Sequence, residues 1–87
     1  MDKLNQYDTI LWAMLNNPQK EWWSASNFQY GEYFVGYEAT ARMTELVYKF
    51  PMLFKVAKDG RFRILSINWE DEQEVKEQKE RIEMLLK

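Results

Sequence analysis

The dipeptide Asp59-Gly60 separates two strand-like runs, residues 53–58 and 61–67, and this arrangement constrains the fold more than any other feature of the chain. An Asp-Gly pair supplies the positive φ values of a type I′ turn, whose twist suits a tight antiparallel hairpin. A hairpin alone is marginally stable in water, so it must pack against other elements. Because the flanking segments have helical periodicity, the sequence predicts an α+β fold.

Residues 3–16 are predicted to form an amphipathic helix. Apolar side chains recur there at spacings of three and four, which places them on one face. The helix is expected to end before Pro18, because the residue preceding a proline disfavours the helical region. The side chains of this face are Leu4, Tyr7, Ile10, Leu11, Trp12, Met14 and Leu15.

Residues 38–50 give the clearest helical pattern, and Pro51 is expected to end the helix. Its apolar side chains fall within one arc of a helical wheel, so the opposite side is predicted to face solvent. Glu38 and Glu45 are spaced to pair with Arg42 and Lys49 along the helix surface. The side chains of the apolar arc are Ala39, Met43, Leu46, Val47 and Phe50.

Between these helices, residues 21–24 are predicted to be extended. Ser24 or Ser26 is then expected to cap a brief helix that runs through Phe28 to Tyr30. The aromatic loop at residues 32–35 is expected to pack inward. Residues 1–69 are therefore predicted to form one domain.

Residues 70–87 are predicted to form a charged C-terminal helix that begins with acidic residues, which favour a helix N-terminus. Val75, Ile82 and Leu86 follow near-heptad spacing, so a homodimer through this helix is one expectation. The helix could equally pack back on the domain through Trp69 and Val75. A third possibility is that the acidic helix folds over the basic hairpin.

The order of these elements is that of a winged helix-turn-helix. Three stretches carry a resemblance to small winged-helix proteins of bacteriophages and prophages: Trp-Ser-Ala-Ser-Asn-Phe-Gln at 23–29, Phe-Val-Gly-Tyr-Glu-Ala-Thr-Ala-Arg-Met-Thr-Glu-Leu at 34–46, and Lys-Asp-Gly-Arg-Phe-Arg at 58–63. The resemblance covers roughly residues 4–68. It implies a three-helix core, with residues 38–50 as the recognition helix and the 53–67 hairpin as the wing.

The charge of the chain is unevenly distributed. The formal net charge is −2, yet residues 36–69 hold six bases and three acids, for a local charge of +3. Residues 70–87 hold four bases and seven acids, for a local charge of −3. Salt screens the interactions between exposed charges beyond about 8–10 Å. The local charge of a surface therefore determines which ligands it attracts, more than the net charge of the chain does.

These features predict a small, non-enzymatic protein that binds double-stranded DNA. The helix at 38–50 would read base edges in the major groove, while the hairpin would contact phosphates or enter the minor groove. The alternative is a winged-helix protein-interaction module that docks through exposed aromatic side chains, since a fold does not determine a function. The predicted DNA-binding residues are Tyr37, Thr40, Ala41, Arg42 and Thr44 on the helix, and Lys55, Lys58, Arg61 and Arg63 on the hairpin.

Composition argues against the other classes of protein. The chain has no His and no Cys, which removes disulfides, thiol chemistry, imidazole bases and the usual zinc sites. It has no glycine-rich phosphate loop and no pattern of metal ligands, so no catalytic residue, cofactor or metal is predicted. No apolar run is long enough to span a membrane and no signal peptide is visible, so a cytoplasmic location is expected.

Overall fold

A computed structural model of the protein describes residues 4–30 and 35–87. Within them, four helices and a two-stranded antiparallel hairpin form an α+β structure, as the sequence predicted. Their arrangement is compatible with a winged-helix-like layout. In chain order, the elements are α1 (Gln6–Leu15), α2 (Ser26–Gln29), α3 (Ala39–Lys49), β1 (Phe54–Asp59), β2 (Phe62–Ile67) and α4 (Glu72–Leu85).

The hydrophobic core lies where α1 and α3 meet the base of the hairpin. The apolar faces predicted for both helices are the faces that the structure buries, which confirms the helical periodicity. Trp23 stacks on Phe28 with 5.4 Å between ring centroids and extends the core beneath α2. The fully buried core side chains include Ile10, Leu11, Met14, Leu46, Leu53 and Leu65.

Helix α1 begins at Gln6, because the Asn5 side chain accepts a hydrogen bond from the backbone N–H of Asp8 at 2.8 Å. This N-cap satisfies one of the free donors of the first turn. The helix ends at Leu15, close to the predicted boundary. Lys3, where the helix was predicted to start, lies outside the described residues.

The extended segment predicted at residues 21–24 is confirmed at Trp23. Its backbone pairs with Leu65 of β2 in both directions, with N···O distances of 2.8 and 2.9 Å. The predicted serine cap is wrong, because Ala25 occupies the N-cap of α2 without a side-chain hydrogen bond. The Ser24 hydroxyl instead bonds to the side chains of Ser26 and Asn27.

The loop predicted to pack inward at residues 32–35 lies mostly outside the described residues. Val35, its last residue, is half-buried against the core. The backbone N–H of Val35 donates to the carbonyl of Phe28 at 2.7 Å. This hydrogen bond fixes the chain just before it turns into α3.

The hairpin turn differs by one residue from the prediction. Asp59 pairs with Phe62, so Gly60 and Arg61 occupy the two central positions. Gly60 has a φ of 63°, whereas Arg61 has no positive φ. A type I′ turn needs positive φ at both central positions, while type II′ needs it only at the first, where glycine is favoured. The predicted type I′ turn at Asp59-Gly60 is therefore wrong.

Helix α4 packs against α1. Its N-terminus is capped by Asp71, whose side chain accepts from the N–H of Glu74 at 3.3 Å. Val75 and Ile82 are buried in the same core as the residues of α1. Beside them, Arg81 forms an ion pair with the nearly buried Asp8 at 2.8 Å.

Of the three arrangements expected for the C-terminal helix, packing on the domain is the observed one, and Trp69 is half-buried against the core as expected. A coiled coil through Val75 and Ile82 would require α4 to leave this position, because both side chains are already buried. A homodimer through another surface stays a prediction.

Candidate nucleic-acid interface

The side of α3 opposite the core is open to solvent. We call this the outer face of α3 and define it by Tyr37, Thr40, Ala41, Thr44 and Tyr48, where Tyr37 lies just before the helix. Tyr37 and Tyr48 are each 79% exposed, and Thr44 is half-buried. The helix presents this face because Ala39, Met43 and Leu46 hold the opposite face in the core. Four of the predicted contact residues therefore lie on one accessible surface.

The four predicted hairpin cations are Lys55, Lys58, Arg61 and Arg63, and all are exposed. Arg61 occupies the turn, while Lys58 and Arg63 lie directly opposite each other across the two strands. None of the four forms an ion pair with another described residue. Like charges at directly opposite positions destabilise a hairpin. An anion bound between Lys58 and Arg63 would offset this repulsion.

A groove of about 370 Å³ separates the N-terminal part of α3 from β2. Thr40 and Thr44 line one side, and Arg63 with Phe62 lines the other. The structure therefore brings two of the predicted helix residues and one of the predicted hairpin cations to one groove, and their contact with DNA stays a prediction. Tyr37, Ala41, Lys55, Lys58 and Arg61 are not among the residues that line it. Its remaining lining residues are Ser24, Ala25, Ser26, Gln29, Met43, Asp59, Ile64 and Leu65.

Arg42 is held between α3 and α1. Its guanidinium pairs with Glu38 at 3.2 Å and with Glu45 at 3.1 Å, which confirms the predicted surface pair between Glu38 and Arg42. Nη1 also donates to the Tyr7 hydroxyl at 2.6 Å, and only 24% of the Arg42 side chain is exposed. The expectation that Arg42 reaches a base or a phosphate therefore has no support in its position.

Tyr7 is the centre of this polar cluster. Its hydroxyl contacts a carboxylate oxygen of Glu45. The Nζ of Lys49 lies 4.5 Å from the centroid of its ring, a cation–π geometry. Lys49, which the sequence predicted to pair with Glu45, therefore contacts α1 through this ring. The cluster positions α3 without placing a free cation on its outer face.

Phe62 and Tyr48 lie on the same surface but were not among the predicted contact residues. Phe62 is 74% exposed and borders the groove. Tyr48 follows Tyr37 by eleven residues, three helical turns, so periodicity alone could have added it. Phe62 could not be assigned from the sequence, because its position depends on the observed register of the hairpin.

Comparison of the chain with protein-family models, with curated proteins and with solved structures finds no match. In residues 4–30 and 35–87, no helix is long and apolar enough to cross a membrane. The same residues contain no group of three acidic side chains placed to hold a metal ion. The function is therefore inferred from the geometry of this surface.

Proposed function

We propose that this protein is a winged helix-turn-helix that binds double-stranded DNA, with α3 in the major groove and the hairpin as the wing. The observation that carries the proposal is a set of four exposed cations that form no ion pair with any residue in 4–30 or 35–87, on a hairpin that borders the solvent-exposed face of a helix. Phosphate contacts supply most of the affinity in such complexes, and the helix face supplies contacts to bases.

The position of the cations within the hairpin supports an anionic partner. Lys58 and Arg63 oppose each other, which destabilises the free protein relative to a neutral pair. A phosphate oxygen close to both side chains would remove this repulsion. Arg61, at the turn, extends the same positive region to the tip of the hairpin.

The shape and charge of α3 suit the major groove. Glu38 and Glu45 both pair with Arg42, which balances one of their two negative charges and so reduces, without abolishing, their repulsion of phosphates. The side chains that remain on the outer face are neutral. An α-helix with its side chains is about 10–12 Å in diameter and so fits a major groove of about 12 Å in width.

The proposal is tested by the salt dependence of binding to a mixed-sequence duplex. If all four hairpin cations contact phosphates, the slope of log Kd against log salt concentration is about 3.6. The affinity then falls by about 150-fold between 50 and 200 mM salt. Arg61→Ala with Arg63→Ala removes two contacts. The expected loss over the same range then falls to about twelvefold, because the slope is halved.

Lys76→Ala with Lys87→Ala is the matched control, since it removes the same charge from exposed positions in and beyond α4. We expect this control to keep the steeper slope. Equal slopes for the hairpin variant and the wild type would refute the role of the hairpin. If both variants lower the salt slope equally, binding depends only on the total charge of the protein and not on the hairpin.

A second candidate function is the docking of a protein partner. The groove favours it, because Met43, Ile64 and Leu65 give it an apolar lining and Phe62 and Tyr37 are exposed nearby. Exposed aromatic side chains often anchor protein interfaces. If the folded protein does not bind duplex at 50 mM salt, DNA binding is refuted and docking becomes the better explanation of this surface.

A further inference from the structure

We infer that the outer face of α3 recognises thymine, through contacts between its methyl groups and the C5-methyl group of the base. This inference rests on the proposed DNA binding and adds the class of base pair that α3 selects. In the major groove, only thymine presents a methyl group, and alanine and threonine are the side chains that contact it.

The side chains that would recognise the other bases are absent from α3 or already occupied. Guanine is usually read by Arg or Lys, but Arg42 is bound to two carboxylates and to Tyr7. Lys49 lies over the ring of Tyr7. Adenine is usually read by Asn or Gln, and the segment Ala39–Lys49 contains neither.

Cytosine is the remaining base, and its amino group would need a free carboxylate. Both carboxylates in this region accept from Arg42: Glu38 at 3.2 Å and Glu45 at 3.1 Å. Moving either one toward a base would leave the half-buried guanidinium with fewer partners. The hydroxyl groups of Tyr37 and Tyr48 are suited to phosphate and sugar contacts, which carry no sequence information.

The outer face of α3 presents methyl groups to a base. Ala41 is exposed and presents only its Cβ. The hydroxyl of Thr44 donates its proton to the carbonyl of Thr40 at 3.0 Å, so Thr44 offers a base its methyl group and no hydrogen-bond donor. Both threonines line a groove whose other walls include Met43 and Ile64, so this part of the surface is apolar.

The test compares two duplexes of identical sequence in which thymine is present or is replaced throughout by deoxyuridine. The replacement deletes the C5-methyl and leaves every hydrogen-bonding group of the base in place. We expect weaker binding of the deoxyuridine duplex, by about fourfold for each methyl group that α3 buries. Both titrations are made at the same low salt concentration, so the phosphate contribution is constant.

Thr40→Ser with Thr44→Ser removes two methyl groups and keeps both hydroxyls. We expect this variant to bind the thymine duplex more weakly and the deoxyuridine duplex as the wild type does. Thr9→Ser is the matched control, because the Thr9 hydroxyl also donates to the carbonyl four residues earlier, at 2.8 Å, but on α1. The control is expected to retain the full preference for thymine.

The outcomes separate this inference from the proposed function. Equal binding of both duplexes by the wild type would overturn thymine recognition and leave DNA binding intact. A thymine preference of undiminished size in the double serine variant would overturn the assignment to these threonines, whereas Ala41 alone would retain only part of it. No binding to either duplex at low salt would refute DNA binding itself, and with it the inference.

Discussion

Replacing Lys58 by glutamate is expected to stabilise the protein while weakening its binding to DNA. Lys58 lies opposite Arg63, so Lys58→Glu changes a repulsive cross-strand pair into an attractive one. An exposed attractive pair contributes roughly 0.2–1 kcal/mol, and loss of the repulsion adds to it, so we expect a gain of about 0.5–1 kcal/mol. For a domain of this size, that gain raises Tm by about 2–8 °C.

The same substitution removes one phosphate contact and adds a negative charge to the hairpin. The slope of log Kd against log salt should therefore fall by about 0.9. Stability and affinity are thus expected to change in opposite directions, which loss of folding cannot produce. Thermal unfolding followed by circular dichroism and a salt series of duplex titrations measure the two effects.

Two further variants isolate the cause. Lys58→Gln removes the repulsion without adding attraction, so we expect about half of the gain in stability. Lys55→Glu makes the same charge change opposite the neutral Ser66, and should weaken binding without raising Tm by a similar amount. If Lys58→Glu unfolds at or below the wild-type Tm at low salt, the repulsion between Lys58 and Arg63 does not measurably destabilise the protein, and the prediction is refuted.

Three predictions concern the stability of the scaffold and are each measured by urea unfolding. Gly60→Ala should lower the free energy of unfolding by about 1–2 kcal/mol, because alanine is strained at a φ of 63°. The added Cβ has open space around it, so no steric clash contributes. An unchanged urea midpoint would contradict the turn geometry. Asp8→Asn should cost about 1–3 kcal/mol by weakening the pair with Arg81, and no loss would mean that the pair does not hold α4. Ile82→Ala should cost about 2–5 kcal/mol, since Ile82 is fully buried, and a cost below 1 kcal/mol would contradict the docking of α4.

The sequence was most informative where a local period determined the structure. The apolar arc of α3 could be identified because Ala39, Met43 and Leu46 recur at helical spacing and all face one core. The exposure of its outer face followed from the same pattern. The pair between Glu38 and Arg42 was also predictable, because residues four apart are neighbours on any helix.

The sequence was less informative where two local solutions compete or where distant residues meet. An Asp-Gly pair fits a hairpin turn in more than one register, and the observed one has Gly60 and Arg61 at its centre. The contact of Arg42 with Tyr7 joins residues 35 positions apart, so no local pattern could indicate it. The groove likewise exists only because β2 lies beside α3.

The ion pair between Asp8 and Arg81 joins α1 to a residue 73 positions further along the chain. A polypeptide emerging from a ribosome has its first helix long before it has the guanidinium that neutralises this carboxylate. Until then the aliphatic surface that Val75 and Ile82 will cover remains open to water. Closure of the core therefore waits until Arg81 has been synthesised, and fragments cut before Arg81 should expose this aliphatic surface.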